Sequence, residues 1–324
     1  MHRTLLLLPI LILAVVLNLR FAGALAQDAS PAAGECVAPE LPPGTPTPQE
    51  DLSAFEEAEE AEDIAQEEAG TLTATPADDG TAADTATAET AIAAMENLVN
   101  CLNARDYLAA AALTTPFFVE NFIEVPTVYD FAASLEGAVP IEVLRIENAL
   151  VYADGTVSVD FIYGGFFSGP TAVTAERWYY VPEDGAYKLN WISPIPLPVD
   201  VLPGATVVEV VMVDYAFYVE PKTVPAGAPV IFRVTNQAAS TTGHVAVLLT
   251  YPAGTTAEQL IAGEVDVMEG ATGFLGAIYL EPGQEADLAF TSLDAGVYFF
   301  GCDVETETGH LHFELGMVSQ ITVE

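Results

Sequence analysis

The last 29 residues of the chain, GVYFFGCDVETETGHLHFELGMVSQITVE (296–324), decide the fold of its C-terminal part. Residues 296–300 and 318–323 are rich in β-branched and aromatic side chains, and this composition predicts two strands. The loop between them contains Cys302, His310, His312 and Met317. The chain therefore ends in a strand, a loop rich in possible metal ligands, and a closing strand.

The nitrogen and sulfur donors of the chain are concentrated in this region. The protein has four histidines, and three of them, His244, His310 and His312, follow residue 206. The order His244, Cys302, His312, Met317 gives two imidazoles, a thiolate and a thioether, the donor set of a mononuclear blue copper site. Thiolate and thioether suit Cu(I), and imidazole suits both oxidation states. The order of these donors predicts one copper ion per chain.

The residues before the loop follow the same β-rich plan. Short strand-like runs recur from residue 206, separated by turns at 225–227, 252–254 and 282–283. The stretch 206–324 resembles the cupredoxin (plastocyanin- and azurin-like) family. The matching segments are VPAGAPVIFRVTN (224–236), GHVAVLL (243–249), LEPG (280–283), GVYFFGC (296–302) and HFELGMV (312–318). The resemblance implies an all-β Greek-key sandwich, copper held by His244, Cys302, His312 and Met317, and electron transfer through a histidine near solvent.

The loop between the cysteine and the following histidine departs from the family pattern. Nine residues, 303–311, separate Cys302 from His312, more than in familiar small blue proteins. His310 is an alternative imidazole ligand two positions earlier. We prefer His312 because it alone gives the family spacing to Met317, and we expect His310 to face solvent.

Each donor also has a structural interpretation. A single cysteine or methionine in a β-rich region is usually a small or flexible apolar core residue. A metal-free cupredoxin-like fold therefore remains an alternative. Zinc in the same site is a weaker one, because methionine is a poor zinc ligand.

Residues 90–200 follow a different pattern. Apolar residues recur at helical spacing from Ala91 to Leu102, and a second Ala- and Leu-rich helix ends near Leu113. Strand-like runs joined by turns follow, which indicates an α+β domain. This stretch resembles the NTF2-like (SnoaL-like) fold in CLNARDY (101–107), LTT (113–115), ERWYY (176–180) and YKLNW (187–191). The resemblance implies a cone-shaped sheet with a pocket, and we expect a binding or docking module.

The charge of the chain excludes some classes of partner. There are 47 acidic residues against 8 Lys and Arg, giving a net charge of −39. Binding to nucleic acid requires basic residues at phosphates, so this class is nearly excluded. The negative charge suits instead a basic, cytochrome-like redox partner. High solubility in salty or acidic surroundings is the simpler explanation of the charge.

The N-terminus has the features of an export signal. Arg3, an apolar run over residues 5–17 and Ala24-Leu-Ala26 predict a secretory signal over 1–26, with a retained anchor as the alternative. Residues 27–89 contain 17 acidic and no basic residues, and we expect a disordered linker there. The mature protein would be exported to the periplasm, the cell surface or the medium, with no stable membrane insertion after cleavage.

Two further cysteines, Cys36 and Cys101, lie outside the β-rich region. Export makes a disulfide between them plausible, and two free thiols are the alternative. A bridge closing a loop of this size constrains the unfolded chain by roughly 4 kcal/mol.

These observations together favour a non-enzymatic, exported blue copper protein that transfers electrons. Two alternatives remain open. One is a copper chaperone or storage protein, which would keep Cu(I). The other is a metal-free envelope protein with two binding modules.

Overall fold

The computed structural model describes residues 34–48, 75–76, 79–183, 185–239, 243–268, 270–306 and 309–324. The predicted signal at 1–26 and most of the predicted linker at 27–89 lie outside these residues. The described residues form two compact units. One contains those up to Phe161 together with Glu176–Ser193, and the other contains Ile162–Ala175 and Pro194–Glu324. Among the described residues, no helix is long and apolar enough to span a membrane.

The first unit begins with a short strand, β1 (Thr81–Ala82), and four helices. The helices are α1 (Thr85–Asn103), α2 (Tyr107–Ala112), α3 (Pro116–Asn121) and α4 (Val128–Ser134). The Asp84 side chain caps α1 by accepting the Thr87 N–H at 3.0 Å. The apolar residues that predicted this helix are buried on one face: Ala91, Met95, Leu98, Val99 and Leu102.

Four strands follow the helices. They are β2 (Val139–Val151), β3 (Val157–Phe166), β4 (Ala172–Glu183) and β5 (Ala186–Pro194), in which β2 pairs with β3, β3 with β4, and β4 with β5. In the turn between β2 and β3, the Thr156 N–H donates to the Asp154 carboxylate at 2.9 Å. Helices before strands is the order expected from the sequence. The NTF2-like assignment over 90–200 stays a prediction.

The segment 34–48 is attached to the helices at both ends. Cys36 and Cys101 form a disulfide with a Cα–Cα distance of 4.7 Å. Near the other end, the Asp130 carboxylate accepts the Thr47 N–H at 2.6 Å and the Thr47 hydroxyl at 2.8 Å. The structure thus contains the pairing that the sequence left open.

The second unit is a sandwich of two sheets. Its elements are β6 (Thr206–Val213), β7 (Ala216–Glu220), β8 (Thr223–Val224), β9 (Val230–Asn236), β10 (His244–Thr250), α5 (Ala257–Ile261), β11 (Gly273–Leu280), β12 (Glu285–Phe290), β13 (Gly296–Gly301) and β14 (Val318–Val323). One sheet has the order β12-β9-β6-β7, and the other has the order β11-β10-β13-β14-β8. Phe232 of the first sheet meets Phe300 of the second with ring centroids 5.3 Å apart. The β-sandwich that the sequence predicted is present, and the bounds 206–324 stay a prediction.

A buried carboxylate fixes the entry to the sandwich. Asp287 on β12 accepts the Leu197 N–H at 2.7 Å and pairs with Arg233 on β9 at 3.3 Å. Residues 162, 173 and 175, from the ends of β3 and β4, share a core cluster with Leu197 and Ile231. The residues that lead into the sandwich are therefore part of its core.

The strand register brings three chain segments to one end of the second sheet. Gly301 at the end of β13 is paired with Val318 at the start of β14 and with Val247 on β10. His244 is the first residue of β10, and Cys302 follows β13 directly. The histidine and the ligand-rich loop therefore meet at this end.

Candidate metal centre

His244 is positioned by its pairing at the start of β10. It lies opposite Leu280 on β11, and the buried amide of Asn236 donates to the Leu280 carbonyl oxygen at 2.8 Å. The side-chain oxygen of the same residue, Asn236 Oδ1, accepts the Ala238 N–H at 2.9 Å. The Asn236 side chain therefore holds β11 at Leu280, the residue that pairs with His244. This fixes the position of the His244 imidazole.

The long loop between Cys302 and His312 folds back on itself. The His312 N–H donates to the Val304 carbonyl oxygen at 2.8 Å, and the Phe313 N–H donates to the Cys302 carbonyl oxygen at 2.9 Å. A bridge also pairs Glu305 with Leu311. The backbones of Cys302 and His312 therefore stay close despite the nine residues between them.

A tight turn brings Met317 back toward His312. The Met317 N–H donates to the His312 carbonyl oxygen at 3.0 Å, and Gly316 has a φ of 106°. Glycine adopts this conformation without the steric cost of a side chain. Met317 is fully buried, and β14 begins at the next residue.

Three donor atoms converge at this end of the sandwich. His244 Nδ1 lies 3.0 Å from His312 Nδ1, and Cys302 Sγ lies 3.4 Å from His312 Nδ1 and 3.8 Å from His244 Nδ1. A triangle with sides 3.0, 3.4 and 3.8 Å has a circumradius of about 2.0 Å, close to the metal–nitrogen and metal–sulfur distances of protein sites. These atoms could hold a metal ion with little movement.

The thiol of Cys302 is fully buried, and burial raises its pKa to about 12. Backbone N–H groups of Val245 and Val304 donate to the sulfur and oppose this shift. The apolar surroundings favour the protonated thiol until a cation replaces the proton.

Burial acts on the histidines in the opposite direction. It lowers the pKa of His244, with Asp214 opposing the shift. Burial together with His244 lowers the pKa of His312 to about 4. Both imidazoles are therefore neutral at pH 7, the state in which they bind metal.

The structure places His312, and not His310, in this cluster. His310 is 62% exposed at its side chain and lies 3.3 Å from Glu314. It faces solvent, as the sequence analysis expected.

His312 is itself 2% exposed and packs against the partly exposed Tyr215. The ring of Tyr215 packs edge-on against it, with centroids 5.0 Å apart and planes at 84°. The electron route through a histidine near solvent, which the family resemblance implies, stays a prediction.

Sequence reasoning missed the two residues that pack beside the histidines. Asp214 and Tyr215 form the two-residue connection between β6 and β7. Asp214 Oδ1 lies 3.9 Å from His244 Nε2, and Tyr215 packs on His312. Their only sequence signal is a polar pair between two strand-like runs, which indicates a turn and nothing about metal.

Comparison with known proteins gives limited similarity. No protein-family model matches the sequence, and no curated protein matches it. Among solved structures, reduced auracyanin from Roseiflexus castenholzii is 24% identical over 37% of this chain and 99% of its own, with a TM-score of 0.27.

Two further structures resemble the same share of the chain. Auracyanin A from Chloroflexus aurantiacus, a blue copper protein, is 19% identical over 37% of this chain and 100% of its own, with a TM-score of 0.26. Reduced rusticyanin is 20% identical over 37% of this chain and 81% of its own, with a TM-score of 0.26. Because these TM-scores are below 0.5, the similarity assigns neither a family nor a function to this chain. Any functional proposal depends on the geometry of the site.

Proposed function

We propose that this protein is an exported, non-enzymatic electron carrier with one mononuclear blue copper site. The observation that carries the proposal is the convergence of His244 Nδ1, His312 Nδ1 and Cys302 Sγ within 3.0 to 3.8 Å of one another. Met317 is fully buried directly before β14, and its thioether would be the fourth ligand.

Each residue of the site has a distinct part in this function. The two neutral imidazoles and the Cys302 thiolate would hold the ion, and the Met317 thioether would be a weaker, soft ligand that suits Cu(I). Bound copper would supply a one-electron Cu(II)/Cu(I) couple. The buried, backbone-fixed ligands resist rearrangement, and their burial excludes water from the site.

The burial of the ligands favours a carrier over a copper chaperone. His244, Cys302 and His312 are at most 2% exposed. Transfer of copper to another protein requires ligand exchange at an accessible donor, which this arrangement opposes. The metal-free alternative leaves three polar donors clustered in the protein interior without explanation.

Redox titration of the copper-loaded protein tests the proposed function. A carrier should show a reversible one-electron couple and should retain copper through repeated cycles. A chaperone should release Cu(I) to a competing chelator and show no reversible couple. A metal-free binding protein should take up no stoichiometric copper.

The acidic surface supports a basic redox partner such as a cytochrome. With a net charge of −39, association with a cationic protein should slow steeply as salt rises. Stopped-flow reduction by a basic and an acidic redox protein, each at several salt concentrations, tests this choice of partner. A rate that does not depend on salt would contradict it.

A further inference from the structure

The turn between β6 and β7 contains a backbone conformation that its residue type disfavours. Tyr215 has a φ of 61°, in the left-handed region. Glycine is the usual residue in this region, and a bulky side chain there is strained. A strained residue near a site suggests that its side chain has a function there.

The side chain of Tyr215 lies at the candidate metal centre. Its ring is edge-on to His312, and its carbonyl oxygen lies 3.9 Å from the position that a Cβ would take at Gly316. Tyr215 is itself 43% exposed, while His312 is 2% exposed. The ring therefore lies between His312 and solvent.

The preceding residue lies beside the other histidine. Asp214 Oδ1 is 3.9 Å from His244 Nε2, and Asp214 is partly exposed. Among the described residues, His244 Nε2 is buried and has no hydrogen-bond partner. A buried N–H requires an acceptor, and the carboxylate of Asp214 lies within about 1 Å of hydrogen-bonding distance.

We propose that Asp214 and Tyr215 are positioning residues of the metal centre, one for each histidine. Asp214 holds the proton of His244 on Nε2 and leaves Nδ1 as an acceptor facing the site. In the metal-free protein, His312 then carries its proton on Nδ1 and donates it to His244 Nδ1 across their 3.0 Å separation. Tyr215 shields His312 and slows escape of the metal. The metal-retention part rests on the proposed function.

The tautomers can be measured without metal. Long-range nitrogen–proton correlation spectra of the metal-free protein should show His244 protonated on Nε2 and His312 on Nδ1. Asp214→Ala should mix the His244 tautomers, and Asp214→Asn should restore the wild-type pattern because its amide oxygen still accepts. An unchanged His244 spectrum in Asp214→Ala would overturn the role of Asp214.

Metal retention tests both residues with Zn²⁺ as a redox-inert probe. Loss of a residue that orients a metal ligand typically lowers affinity 10- to 100-fold, so Asp214→Ala should lose about this much. Glu220→Gln, at the far end of β7, is the matched control and should bind as the wild type does. Equal affinity for Asp214→Ala and Glu220→Gln would contradict the proposal.

Tyr215→Gly separates a structural role from a positioning role. Glycine relieves the strain at φ 61°, so a purely structural turn predicts greater stability and an unchanged rate of metal loss. The proposal predicts equal or greater stability with metal loss to a chelator about tenfold faster. Tyr215→Phe, which keeps the ring, should resemble the wild type, as should Tyr218→Ala on the neighbouring strand β7.

Failure of the proposed function would look different. A wild-type protein that binds Zn²⁺ but shows no copper redox couple would reject the carrier and leave the positioning roles standing. A wild-type protein that binds no metal would reject metal retention by Tyr215, and the tautomer spectra would still decide the role of Asp214.

Discussion

His244 Nδ1 and His312 Nδ1 lie 3.0 Å apart, although 68 residues separate them along the chain. Two neutral imidazoles at this distance share one proton in a hydrogen bond or direct both lone pairs at a cation. The Cys302 sulfur completes the triangle, and its raised pKa leaves it protonated at pH 7. The metal-free site therefore retains protons that a metal ion would displace.

Metal binding should release about one proton per ion at pH 7. The pKa of Cys302 is raised to about 12, so its thiol must lose a proton, whereas the histidines, with lowered pKa values, are already neutral. Calorimetric titration with Zn²⁺ in buffers of different ionisation enthalpy measures this number. Cys302→Ser should abolish most of the release, and a release near zero or three in the wild type would contradict the assigned protonation states.

The metal-free protein should lose stability as the pH falls from 7 toward 4. The folded-state pKa of His312 is about 4, below its ordinary 6.5, so its contribution is complete above pH 6.5 and is lost as pH falls through the folded value. A pKa lowered from 6.5 to about 4 corresponds to a full contribution of about 3 kcal/mol. Urea denaturation across this range should show a shallower decline for His312→Gln than for the wild type.

His310→Gln is the matched control for that experiment. His310 lies on the same loop but is exposed, so its replacement should leave the pH dependence unchanged. Identical slopes for His312→Gln and the wild type would show that the buried imidazole does not govern acid stability.

Asp287→Ala should destabilise the sandwich by about 1–3 kcal/mol, because it leaves the buried Leu197 N–H without an acceptor and removes the partner of Arg233. Glu285→Ala, two residues earlier on the same strand, should change stability by less than about 0.5 kcal/mol because its carboxylate is exposed. Denaturant midpoints measure both. A smaller loss for Asp287→Ala than for Glu285→Ala would be inconsistent with this role.

A cut in the chain between residues 49 and 74 should leave the two fragments joined. The disulfide between Cys36 and Cys101 connects residues on either side of the cut. With a protease site inserted at residue 60, the cleaved protein should run as one species on a non-reducing gel and as two after reduction. Two species before reduction would show that the disulfide is absent.

The sequence predicted those features that depend on local pattern. The spacing from Ala91 to Leu102 gave the face of α1, and the β-branched runs at 296–300 and 318–323 gave the strands on either side of the ligand loop. The four proposed ligands were chosen by donor chemistry and order, and the structure brings His244, Cys302 and His312 together.

Features that depend on tertiary packing could not be predicted from local sequence patterns. The spacing rule preferred His312, but only the fold shows the backbone hydrogen bonds from His312 to Val304 and from Phe313 to Cys302 that keep His312 beside Cys302. The ring that packs against His312 comes from Tyr215, on a turn about 100 residues earlier in the chain. The packing of residues 162 and 173 against Ile231 likewise joins segments that no local pattern relates.

The visible absorption spectrum after addition of Cu(II) tests the central claim most directly. The site predicts an intense thiolate-to-copper charge-transfer band at one copper per chain, abolished in Cys302→Ser and retained in His310→Gln. A folded wild-type protein that shows no such band and binds no stoichiometric copper would contradict it.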